Sequence, residues 1–313
     1  MPRKIIVDCD PGQDDAVALT LAHGSPEIEL VAITTVAGNQ TLDKTTYNAR
    51  RIATAAGIRG VPIAAGCATP LLRDLVTAGG IHGETGLDGA AWPEPDVPLV
   101  PDHAADVIVE TVMASPGEIT LVPIGPLTNV ALAVRREPRI AERVREVVLM
   151  GGSATRGNST PAAEFNMLVD PEAAAIVFAA GWPLTMVGLD LTQQAEATDA
   201  VMRRIRGAGG PTATLLADAL GFYQARYRAE GRNRPVPVHD PCAVARVIRP
   251  ELVQCVDARV EIETSGRWTS GMTVTDFRPD GAPCNARVAM RLDRDGFWDL
   301  VVDALERIGS GGR

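Results

Sequence analysis

The sequence predicts an α/β protein with a mostly parallel central sheet, helices on both faces and extra strands near its C-terminus. Three observations carry this. Short β-branched runs alternate with longer alanine-rich stretches, the order expected of strands joined by helical crossovers. The runs are almost continuously apolar, as strands are when both sheet faces are covered. Polar clusters follow the runs, at the carboxyl edge where open α/β sheets bind ligands. The strand-like runs are Lys4–Asp8, Leu30–Val36, Ile119–Pro123, Glu146–Met150 and Leu184–Gly188. Helical stretches fall at Asp14–Ala22, Leu42–Ala56, Ala104–Ala114, Leu127–Arg135, Pro171–Ala180 and Pro211–Arg228. In the fourth of these, Leu127, Val130, Ala131 and Val134 make one apolar face at helical spacing. Leu252–Ile262 and Ala286–Leu292 read as the extra strands, before a closing helix over Phe297–Ile308 and a frayed Gly-Ser tail. With no linker, repeat or low-complexity stretch, residues 1–313 are expected to form one domain.

Composition narrows the function. Apolar residues make up 46% of the 313 and charged residues 22%, enough for a substantial core and against disorder. A net charge of −9 argues against a nucleic-acid partner, whose phosphates need a basic patch. No apolar run reaches the length of a transmembrane helix, and with MPRKIIVDCDPG passing straight into a strand-like run no signal peptide is expected. Five scattered cysteines without a C-x-x-C pair suggest neither a disulfide framework nor a zinc ribbon, so a reducing cytoplasm is expected. Lysine occurs only at positions 4 and 44, which excludes a Walker A loop. The motifs H-E-x-x-H, G-x-S-x-G and G-x-G-x-x-G are absent. Carboxylate is what remains plentiful.

Four polar clusters follow predicted strands: Asp8–Asp15, Ala37–Asn39, Ile124–Asn129, and Gly151–Gly152 leading on to Asn158 and Glu164–Asn166. The first holds four carboxylates in eight residues (Asp8, Asp10, Asp14 and Asp15) with no Lys or Arg inside the run. Two like charges ~5 Å apart repel by roughly 3 kcal/mol at an effective dielectric near 20. A hard cation such as Ca²⁺, taking six to eight oxygens, would offset this. Helix capping accounts for one of these aspartates but not for the three others. An EF-hand does not fit, since Gly stands at the fifth position and Leu where the final Glu belongs. Further ligands must come from elsewhere, and Asp240 in Val238–Pro241 is the best remote candidate. His239 beside it is a candidate general acid poised near neutral pH.

Other positions stay open at this level. His82 sits in the glycine-rich stretch Gly80–Gly89, either a loop that closes over a substrate or a plain surface loop. Tyr223 and Tyr227 lie one helical turn apart and either stack on a planar ring or pack as core. The arginine-rich stretch from Arg226 to Arg234 reads as a solvated or inter-subunit face, with Arg228 as an alternative donor to a ligand.

Taken together these residues resemble the inosine–uridine nucleoside hydrolases over nearly the whole chain. The carriers are DCDPGQDDAVAL (Asp8–Leu19), VAGNQTLDKT (Val36–Thr45), IHGETGLDG (Ile81–Gly89), LVPIGPLTN (Leu121–Asn129), VVLMGG (Val147–Gly152), AEFNMLVDPEAA (Ala163–Ala174), GLDLT (Gly188–Thr192) and VHDP (Val238–Pro241). The resemblance implies a nucleoside hydrolase-like fold and hydrolysis of the N-glycosidic bond of ribonucleosides to free base and ribose. It implies a Ca²⁺ held by Asp10, Asp15, Asp240 and the main-chain carbonyl of Ile124, with Asp10 also the general base on the attacking water. Asp14, Asn39 and Asn166 would bind the 2′- and 3′-hydroxyls, and Asn158 and Glu164 the 5′-hydroxyl. Met150 would contact the sugar and Phe165 the substrate, while His239, with His82 and Tyr227 nearby, would lie beside the base and assist its departure. A homodimer or homotetramer is implied as well; purine or pyrimidine preference is not.

Two other protein classes share part of this pattern. A haloacid-dehalogenase-like phosphatase also opens on a strand ending in D-x-D, but it usually carries Thr or Val where this chain has Gly12, and no Gly-Asp dipeptide follows downstream. A non-catalytic nucleoside or sugar sensor on the same scaffold would not need every catalytic position, yet all are present.

Overall fold

A computed structural model of the chain describes residues 1–311. Among the described residues there are nine strands: β1 (Arg3–Cys9), β2 (Ile28–Thr35), β3 (Ile63–Ala65), β4 (Ile119–Pro123), β5 (Glu146–Met150), β6 (Leu184–Val187), β7 (Val253–Ile262), β8 (Thr273–Asp276) and β9 (Ala286–Leu292). They form one sheet in the order β3-β2-β1-β4-β5-β6-β9-β7-β8. Every pair from β3 to β9 is parallel; β7 runs antiparallel to both β9 and β8.

The inner strands β1, β4, β5 and β6 are largely apolar because they face two cores. On β1, Ile5, Val7 and Cys9 join one apolar layer. That layer includes the helices Gln13–Gly24, Gly210–Ala229, Pro241–Ile248 and Arg294–Gly309. Ile6, between them, joins the other, packed by the helices Ala104–Ala114, Thr128–Arg136 and Pro171–Phe178. A strand residue with no solvent face has no reason to be polar.

The chain runs outward from β1 through β2 to β3, then returns to lay β4 on the other side of β1. The carboxyl ends of β1 and β4 therefore border a topological switch point, where a crevice opens in such sheets. Asp8 of β1 lies in register with Thr34 of β2 and Pro123 of β4, so three polar clusters leave the sheet side by side.

The predicted elements are present, with small shifts at their ends: Pro250–Leu252 is a 3-10 turn before β7, and the closing helix begins at Arg294. Short elements had no periodic signal to find. β3 has three residues and β8 four, and the helices Asp199–Gly207 and Pro241–Ile248 went unpredicted. Among the described residues no helix is long and apolar enough to cross a membrane.

Phe297, fully buried on the closing helix against Trp298 (ring centroids 4.9 Å apart), is a sensitive point of the larger core. Phe297→Ala is expected to lower the unfolding free energy by about 3–5 kcal/mol. A urea titration followed by circular dichroism checks this; a loss below about 1 kcal/mol would show that the helix adds little.

Candidate functional site

The site begins where β1 ends. Asp10 to Gly12 turn the chain into the helix Gln13–Gly24, with Asp14 and Asp15 in its first turn. The Asp15 carboxylate reaches back to accept from the backbone N–H of Gly12 (2.8 Å) and Asp10 (3.2 Å). It thus caps the helix while holding the turn. Asp10 accepts from the backbone N–H of Asn39 at 2.6 Å, which ties the turn after β2 to the turn after β1. Two glycines make room for it: a Cβ on Gly38 would stand 2.2 Å from Asp10 Oδ2, and one on Gly125 2.6 Å from Oδ1. Asp240, just before the helix Pro241–Ile248, arrives from the far side. The backbone N–H of His239 donates to Asp14 at 3.3 Å.

Asp8, Asp10, Asp14, Asp15 and Asp240 are all buried. Among the described residues, none of the ion pairs joins them to Lys or Arg. Burial, reinforced by mutual repulsion, pushes Asp10 and Asp240 well above the usual carboxylate range. The same two causes raise Asp14 to about 7. Burial alone raises Asp8 to about 7, against its hydrogen bonds from Asn129 (2.8 Å) and Thr34 (2.6 Å). The second oxygen of Asp8 is sealed from solvent without a partner. One oxygen each from Asp14, Asp15 and Asp240 lies within 4.8 Å of the others. Buried, clustered carboxylate oxygens without a protein cation are the donor set of a hard metal ion.

The tightest carboxylate trio thus includes Asp14, with Asp10 beside it, whereas the sequence grouping was Asp10, Asp15 and Asp240. The Ile124 carbonyl lines the same cavity and already accepts from Asn166 Nδ2 at 2.9 Å, one of its two lone pairs.

A cavity of about 440 Å³ opens above these residues. At one end stand Met150, Asn158, Glu164, Phe165 and Asn166, joined by hydrogen bonds, while Asn39 lines the cavity nearer Gly12 and His82. Glu164 caps the helix Phe165–Val169, accepting from the N–H groups of Asn166 (3.0 Å), Met167 (3.2 Å) and Gly152 (3.0 Å). Burial still holds its carboxyl above the ordinary value. Asn158 accepts from the Phe165 N–H at 3.0 Å, fixing its amide towards the cavity loop. Thr273 of β8 both accepts from Ser153 N–H (2.8 Å) and donates to its carbonyl, so the C-terminal strands brace this end.

At the other end are His82, Tyr223, Tyr227, Glu230, Arg232 and His239. His82 is buried, so the plain surface-loop reading does not hold. Both tyrosines are buried, as the core reading expected, and both also line the cavity. The arginine stretch is not merely a solvated face. Arg226 donates to the Gly80 carbonyl at 2.8 Å, Arg232 stacks on Tyr227 (4.9 Å), and Arg234 donates to the Tyr227 hydroxyl at 3.0 Å. Arg228 lies outside this cavity, in a separate pocket beside Gln224 and Arg234. His239 Nδ1 bonds Thr192 Oγ1 at 2.8 Å. Burial first, then the charge of Arg234, pushes its imidazole down to about 3. It is therefore neutral at pH 7 and offers a hydrogen bond, a correction to the expectation of a group poised near neutrality.

Comparison with known proteins decides the family. The family model described as inosine-uridine preferring nucleoside hydrolase matches residues 5–299. The chain belongs to that family. An inosine-uridine preferring nucleoside hydrolase of Leishmania major is 56% identical over 99% of both chains. A pyrimidine-specific ribonucleoside hydrolase of Photobacterium profundum is 46% identical over 97% of this chain and 99% of its own. A solved purine-preferring ribonucleoside hydrolase from Gardnerella vaginalis superposes with a TM-score of 0.93 at 30% identity, covering 99% of this chain and 100% of its own.

Reasoning from sequence missed several residues of this nucleoside hydrolase's site. Gln13, Asn129 and Thr192 lie within the motifs already singled out, so their position was a signal that their chemistry was not. Glu230 and Arg232 fall within the stretch from Tyr223 to Arg234 that the sequence marked out, but which of its residues reach the cavity is set by the fold. The glycine cradle of Asp10 supplies a test: Gly125→Ala is expected to weaken divalent-cation affinity at least tenfold while leaving the fold intact. Isothermal titration calorimetry with circular dichroism reads both; unchanged affinity would show that Asp10 tolerates displacement.

Proposed function

We propose that this nucleoside hydrolase hydrolyses the N-glycosidic bond of ribonucleosides with a resident Ca²⁺, and that Asp10 is the general base. The observation that carries this is the buried, unneutralised carboxylate cluster at the floor of a nucleoside-sized cavity. Asp10, Asp15, Asp240 and the Ile124 carbonyl would hold the ion, with Asp14 close enough to share it. When bound, calcium offsets the carboxylate repulsion and supplies the positive charge that acidifies water.

Asp10 takes the proton of the attacking water as its oxygen bonds C1′ and the bond from C1′ to the base breaks. The sugar passes through an oxocarbenium-like state. Asp14, Asn39 and Asn166 bind the 2′- and 3′-hydroxyls, and Asn158 and Glu164 the 5′-hydroxyl. Met150 and Phe165 pack on the sugar. These contacts draw on binding energy remote from C1′ to hold the reactive pucker. His239 donates a hydrogen bond to the departing base, and His82, Tyr223 and Tyr227 hold its ring. The similarity to an inosine-uridine preferring relative supports both inosine and uridine as substrates. The whole chain acts as one domain, as a homodimer or homotetramer in the cytoplasm; its free cysteines suit a reducing compartment.

Ribose release from inosine, uridine, adenosine, guanosine and cytidine, assayed with calcium and after chelation, tests the reading. Calcium-dependent release is expected; no release from any of the five by calcium-loaded protein would overturn it. Asp10→Ala is expected to lower kcat by about a thousandfold or more. Turnover near wild type would remove Asp10 as the base. His239→Ala should slow purine nucleosides more than ribosides with activated aryl leaving groups, whereas equal losses would refute its role in departure.

A further inference from the structure

Gln13 is fully buried inside the acidic turn, yet it faces away from the carboxylates. Its amide nitrogen donates to two backbone carbonyls of the glycine-rich loop, His82 O at 3.2 Å and Asp88 O at 3.1 Å. Its amide oxygen lies 2.6 Å from His82 Nδ1. The amide orientation is fixed by chemistry, because the opposite one would set an oxygen against two carbonyl oxygens. An amide oxygen only accepts, so His82 Nδ1 must carry the hydrogen. A neutral imidazole protonated at Nδ1 has a bare lone pair at Nε2.

Nε2 makes no hydrogen bond to the protein among the described residues, and the ring lines the cavity. Tyr223 holds the ring plane from one side, with centroids 5.2 Å apart and planes tilted by 32°. Gly12 lies against the bonded edge, where a Cβ would stand 2.5 Å from Nδ1. Arg226 anchors the same loop through the Gly80 carbonyl at 2.8 Å. The imidazole therefore has little freedom to flip and exchange its nitrogens. Burial lowers its pKa to about 4, which keeps the ring neutral at pH 7.

We propose that Gln13 is a specificity-determining positioning residue: it fixes His82 as a hydrogen-bond acceptor at the base end of the cavity, which selects bases that carry an N–H donor. The proposal rests on the nucleoside hydrolase reading above and adds the feature of the base that the site reads. Inosine satisfies the acceptor. Purine riboside, which has no N–H on its ring and no amino group, leaves the Nε2 lone pair buried against carbon. An unmet polar group of this kind discriminates by about tenfold or more.

Two measurements test the assignment. The ¹⁵N shifts of the His82 ring in wild-type protein should report a neutral imidazole protonated at Nδ1; protonation at Nε2 would overturn the proposal. The ratio of kcat/KM for inosine to that for purine riboside should fall about tenfold in Gln13→Leu relative to wild type. Intrinsic leaving-group differences cancel in this comparison of ratios, and an unchanged ratio would overturn the proposal. The NMR result does not depend on turnover. A wild-type protein that released no ribose would therefore sink the hydrolase reading, while the ring spectrum alone decided how Gln13 sets His82.

Discussion

Mutual repulsion among buried carboxylates is the constraint around which this molecule is arranged. Five of them converge beneath the cavity, and burial makes each cost more than it would in water. The protein answers with dipoles instead of cations. Backbone N–H groups point at Asp10, Asp14 and Asp15, and the amino end of a helix lies beneath the acidic turn. These partial charges organise the oxygens without neutralising them. A lysine or arginine in the cluster would have satisfied the charge and closed the site to an ion.

The sheet order explains why such a cluster can be assembled at all. Residues far apart in sequence must meet within a few ångströms, and the switch point between β1 and β4 lets three consecutive loops do so without crossing. Asn129 holds the arrangement from below. Its amide donates to Asp8 at 2.8 Å and to the Thr35 carbonyl at 2.9 Å, and accepts from Cys67 N–H at 2.8 Å. A Cβ on Gly66 would collide with that amide, so the loop after β3 is shaped around it. One side chain thus links the carboxyl ends of β1 and β2 with the loop after β3.

Much of this was legible in the sequence because it was written locally. The eight residues from Asp8 to Asp15 contain both the charge problem and the glycine turn, and the apolar runs announce strands covered on both faces. Asp240 could be named from its neighbours His239 and Pro241, although only the fold brings it to Asp14. What escaped was relational. Gln13 is an ordinary polar residue until His82, 69 positions away, is laid against it. Arg232 and Arg234 look like solvated charge until the chain folds Tyr227 beneath them. The neutrality of His239 was equally hidden, since it follows from burial and from arginines placed by tertiary structure. The three-residue β3 is too short for any periodicity to exist.

The order of the last three strands has a bearing on synthesis. β7 meets the parallel sheet only through β9, which is made later and slots between β6 and β7. While the nascent chain emerges, β7 and β8 can pair with each other but have no seat on the sheet until β9 has left the ribosome. Thr273, the brace of Ser153, waits with them. The acidic turn is translated well before these strands, yet the brace at Ser153 cannot take its place in the sheet until β9 has followed. The hydrolase thus makes its most charged element long before the strands that complete that element's surroundings.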